Sequence, residues 1–71
     1  MLLAYRVSEA NRPVITVHNG GVAPQIEDEP TYFIHDSAGY NSIVTDEEFA
    51  EKYNIIYVIS LDCEVYRIEE N

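Results

Sequence analysis

From its second residue the chain alternates, with Leu3, Tyr5 and Val7 on one face of an extended segment and Leu2, Ala4 and Arg6 on the other. That two-residue period predicts a β-strand over residues 2–7. Ser8 to Arg12 has turn composition, and Pro13 is tolerated at the first position of a strand, where its missing N–H is not needed. Val14 to His18 then reads as a second strand. Asn19-Gly20-Gly21 interrupts the pattern, because Asn and Gly reach positive φ at little cost. A loop through Pro24 to Pro30 follows and carries Glu27-Asp28-Glu29. Tyr32 to His35 is a short apolar run of strand type, ended by Asp36-Ser37-Ala38-Gly39, again a turn composition.

The strongest local signal comes next. Thr45 is positioned as an N-cap, Glu48 completes a capping box, and Val44 with Phe49 forms a hydrophobic staple. A helix of about two turns is predicted from Asp46. Asp46, Glu47 and Glu48 suit the positive end of its dipole, Phe49, Ala50 and Tyr53 form its apolar stripe, and Asn54 can end it. From Ile55 to Ile68 the period is two again, with Tyr57, Ile59, Leu61, Cys63 and Val65 on one face and Ser60, Asp62 and Glu64 on the other. Either one long strand or a hairpin fits. The lack of Gly or Asn-Gly near Leu61-Asp62 argues against a tight turn, while fourteen residues are long for one strand. A hairpin or a bent strand is expected. The fold class is therefore α+β: a small antiparallel sheet of about four to five strands with one short helix packed on it. Residues 1–71 form a single domain without internal repeats.

A chain of 71 residues lies near the lower limit for a self-supporting core, and 46% apolar residues with six tyrosines supply one. An apolar surplus on one sheet face is commonly covered by a second copy, so a homodimer is compatible with the sequence. Cys63, the only cysteine, cannot form an internal disulfide, which points to a reducing compartment. The start, Met1 to Arg6, has no basic region before its apolar residues, and no run approaches the length of a spanning helix. The expected location is cytoplasmic, in the bacterial host cell if the chain is phage-encoded.

Charge sharpens the picture. Thirteen acids against four bases give a net charge of −9, a balance repelled by nucleic acids and anionic membranes. Residues 25–54 hold Glu27, Asp28, Glu29, Asp36, Asp46, Glu47, Glu48 and Glu51 against Lys52 alone. These acids are interleaved with Tyr32, Phe33, Ile34, Phe49 and Tyr53, so they belong to a folded surface and not to an acidic tail. Eight isoleucines and six tyrosines argue against the thinned apolar surface of a halophile.

Catalytic chemistry has little to work with. Cys63 with His18 or His35 is the only nucleophile and base pair, and Cys63 falls on an apolar strand face, where free cysteine packs as a small hydrophobe. His18, His35 and Cys63 lack the spacing of a zinc site. Glu27-Asp28-Glu29 and Asp46-Glu47-Glu48 lack the donor pattern of a calcium loop, and Asn19-Gly20-Gly21 lacks the Lys and Ser or Thr of a phosphate loop. No enzyme activity and no cofactor are expected. Tyr53 and Tyr57, beside acidic residues, read either as interface anchors or as half-buried packing residues.

What these features favour is a binding protein with a cationic partner, most economically a protein that itself binds DNA or RNA. Carboxylates would stand where phosphates stand, and the expected binding residues are Glu27, Asp28, Glu29, Asp36, Asp46, Glu47, Glu48, Glu51 and Tyr53. The outcome would be competitive inhibition. In size and acidity the chain is similar to the small inhibitors that phages make against host nucleic-acid machinery, including DNA mimics and anti-CRISPR proteins. That resemblance covers composition and no particular motif. The alternative is a homo-oligomeric structural or assembly module built from strand edges and tyrosines, with the acid serving solubility.

Overall fold

A computed structural model describes all residues, 1–71. Strand β1 (Leu2–Arg6) lies at the centre of the sheet, flanked by β2 (Thr31–Asp36) and by β5 (Val65–Glu70). Outside these run β3 (Asn41–Thr45) and β4 (Tyr53–Ser60), giving the order β3-β2-β1-β5-β4 with every neighbouring pair antiparallel. The fold is the α+β class that the pattern predicts, and no helix is long and apolar enough to cross a membrane.

Alternation along the central strands divides the core in two. One face carries Ala4, Ile34 and Ile68, joined by Val44 and by Phe49 of the short helix α2 (Asp46–Lys52). The other carries Tyr5, Phe33 and Val65, joined by Val7 and by Ile15 of a second helix, α1 (Arg12–His18). Each face of the sheet is thus covered by one short helix, and the buried side chains are few and large.

Helix α1 stands where the pattern predicts a strand at Val14 to His18. β1 already has a neighbour on each side, β2 and β5, and the segment pairs with no strand. It covers the sheet instead, and tertiary context overrides the β-branched composition of Val14, Ile15 and Val17. Its boundaries have sequence signals that the alternation masks. Pro13 sits in the first turn, where a missing N–H costs nothing. At the other end Gly20 has φ +68°, and the Gly21 N–H donates to the Thr16 carbonyl at 2.8 Å, a Schellman stop. Asn19-Gly20-Gly21 therefore ends a helix.

Helix α2 begins as expected. Thr45 is its N-cap, and its Oγ1 accepts from the Glu48 N–H at 3.1 Å. The helix is a residue or two shorter than the apolar stripe implies, because Tyr53 already opens β4. Tyr53 still packs on the α2 side, with its ring 5.9 Å from Phe49, while Tyr32 stacks on Phe49 at 4.1 Å. Strand β3, just before the helix, is an element that the pattern analysis leaves unassigned.

Residues 55–68 form the hairpin of β4 and β5. The turn has no glycine, and Glu64 takes φ +56°, a left-handed conformation that costs a side-chain-bearing residue about 1 kcal/mol. Tertiary contacts hold it there. The Arg6 N–H donates to the Glu64 carbonyl at 3.0 Å, and Arg6 Nη1 lies 3.1 Å from Glu64 Oε2. Asn11 Nδ2 donates to the Cys63 carbonyl, and the Cys63 N–H to Ser60 Oγ at 3.2 Å. The strict alternation expected from Tyr57 to Val65 is broken by register shifts between Ile55 and Tyr57 and between Val58 and Ser60. As a result Ser60, and not Ile59, lies opposite Val65.

Candidate functional site

The acidic residues sort by the elements that carry them. Glu27, Asp28 and Glu29 are exposed on the loop entering β2, while Asp46, Glu47 and Glu48 form the first turn of α2. Two connections bring these groups to the same end of the β2–β3 pair. Thr31 lies opposite Thr45 in the ladder, and the Asp46 N–H donates to the Pro30 carbonyl at 3.0 Å. An open depression beside them is lined by Glu27, Asp28, Glu29, Thr31, Ile43 and Thr45. Six carboxylates therefore gather at one corner of the sheet. Lys52 Nζ is 3.3 Å from Glu48 Oε2 in an exposed pair that is worth little.

The remaining expected residues stand elsewhere. Asp36 is at the far end of β2, about 16 Å along the strand from Thr31. It binds the N-terminal ammonium at 3.4 Å and caps the following turn by accepting the Ala38 N–H at 3.1 Å. The Ala38 hydrogen bond, then the ammonium, hold its carboxyl below the usual range. Glu51 and Tyr53 belong to a second patch where the chain ends. There Asn71 Nδ2 donates to the Glu51 carbonyl and Glu70 pairs with Tyr53 across β4–β5. Burial raises the Tyr53 hydroxyl above its ordinary pKa, with the Tyr40 and Glu70 charges adding to the effect. Glu70 is an acid that sequence reasoning did not assign to a site. Only pairing across the hairpin puts it beside Tyr53.

The histidines and the cysteine do not meet in a catalytic arrangement. His18 at the end of α1 stacks on His35 of β2, centroids 4.1 Å apart, and His35 Nδ1 is 2.7 Å from Asn41 Oδ1. Burial, then the neighbouring His35 charge, lowers the His18 pKa. Cys63 packs against the α1-side core cluster.

Fold and surface together define a small two-sided α+β sheet protein with a concentrated anionic corner. Comparisons with protein-family models, curated proteins and solved structures give no significant match.

Proposed function

We propose that the chain is a non-enzymatic binding protein that presents its acidic corner to the basic groove of a nucleic-acid-binding protein and inhibits it by standing in for phosphates. The observation that supports this reading is the Pro30–Asp46 hydrogen bond, which joins the 27–29 loop to the first turn of α2. Acids separated by seventeen residues of sequence thereby face a partner as one surface. Arginines and lysines arranged for a phosphate backbone would meet carboxylates at successive positions, each contact charge-assisted and salt-dependent. Asp36, at the far end of β2 and paired with the N-terminal ammonium, and Glu51, in the patch where the chain ends, stand outside this surface. A phage-encoded inhibitor acting inside a bacterial cell is the setting this chemistry suits.

The test is capture from nuclease-treated bacterial lysate by the tagged chain, compared with the triple variant Glu27→Lys, Asp28→Lys and Glu29→Lys. The expected result is a nucleic-acid-binding protein retained at low salt, displaced by added duplex DNA and lost in the variant. Capture that the variant, salt and DNA all leave unchanged would remove the acidic corner from the function.

A further inference from the structure

β4 is an edge strand, so the N–H and C=O groups on its outer side face no other strand. From Tyr53 to Leu61 it carries no charged residue, in a chain where 24% of residues are charged. Its apolar side chains are also open to water: Ile55 is 50% exposed, Ile56 48%, Tyr57 51%, Val58 46% and Ile59 49%. Proteins usually protect an edge by shortening it, charging it, placing a proline in it, covering it or bulging it. β4 has eight residues and uses only the last device, through its two register shifts.

We propose that β4 is a self-association strand, pairing antiparallel with β4 of a second copy about a two-fold axis at Tyr57. The sequence around Tyr57 is self-complementary in that register. Ile56 meets Val58, Ile55 meets Ile59 and Asn54 meets Ser60, each pair formed twice. Tyr57 meets its own copy, an aromatic cross-strand pair. Moving the axis to Ile56 sets Asn54 against Val58, which loses the polar match.

Two further considerations select a second copy as the occupant. Each chain carries −9, so two copies can approach only where charge is absent, and β4 is the longest such strand. Half-exposed residues of this size offer on the order of 100 Å² each, hence roughly 600 Å² per protomer with Leu61, near the 800 Å² per partner of a standard interface. The product is a continuous ten-stranded sheet with β3 at both ends. The acidic corners lie at those outer ends, so the inference does not depend on what they bind.

The test is the solution mass by sedimentation, with circular dichroism to establish that each variant folds. The expected mass for the unaltered chain is about twice 8.1 kDa. Tyr57→Lys sets like charges on the axis and gives a monomer. Val58→Glu sets a carboxylate against Ile56 on both sides of the axis, weakening the dimer on the order of tenfold. Adding Ile56→Lys to that variant restores it through two cross-strand ion pairs, which a merely structural role for Val58 would not produce. A monomeric unaltered chain, a ladder of higher oligomers, or a dimer indifferent to these substitutions overturns the proposal.

Discussion

Asn11 is 2% exposed and is the buried polar residue of the core. Its side-chain amide donates to the carbonyls of Arg6 and Cys63, tying the end of β1 to the β4–β5 turn at the foot of α1. Its backbone is in the helical region, with φ −95° and ψ −9°, its side chain makes no cap for α1, and Ser8 Oγ accepts the Asn11 N–H in the local turn. Asn11→Ala removes the donor from two part-buried carbonyls and should cost about 1–3 kcal/mol. Asn11→Asp should cost at least as much, since it turns carboxylate oxygens toward carbonyl oxygens. Urea unfolding midpoints measure both. An aspartate variant as stable as the parent would show that the amide donors are not what holds the turn.

At the scale of elements, α1 buries only Ile15 along its seven residues, as α2 buries only Phe49. Stacking of His18 on His35 and the Asn41 Nδ2 bond to the His18 carbonyl at 2.9 Å also hold α1. The His18 pKa is lower in the folded chain than in the unfolded one, so the unfolded state takes up its proton first. The contribution is complete above the unfolded value and is lost as the pH falls through it toward the folded value. Acidification also relieves repulsion among the carboxylates, which stabilises the fold, so the comparison must be internal. Between about pH 7.5 and pH 5 the melting temperature of the parent should fall relative to that of His18→Phe, which keeps the stack without a titrating group. Parallel pH profiles would leave the histidine stack no part in docking α1.

Charge is uneven across the sheet: six carboxylates cluster by the β2–β3 pair, while β4 itself carries none from Tyr53 to Ser60. Salt should therefore act in opposite senses on the two proposed interactions. Raising ionic strength screens repulsion between two −9 chains and strengthens β4 pairing, while it weakens capture of a basic partner. Sedimentation and capture across a salt series would report both. Changes in the same direction would mean that one surface serves both interactions.

Strand β1, the β2 core, the α2 cap and the hairpin region could all be read along the chain, because each rests on neighbours close in sequence: alternation, a capping box, a period of two. So could the amount of acid and the residues that bear it. The order β3-β2-β1-β5-β4 could not, nor could α1. Seven residues rich in Val and Ile fold as a helix over one face of the sheet and not as a strand at its open edge. The acidic corner depends on the same order, since it takes a ladder between Thr31 and Thr45 to bring the 27–29 loop to the end of the sheet where α2 begins. Likewise the run from Ile55 to Ile59 reads as core material on its own. Its place at the end of the sheet, with no strand or helix beyond it, leaves those side chains in water.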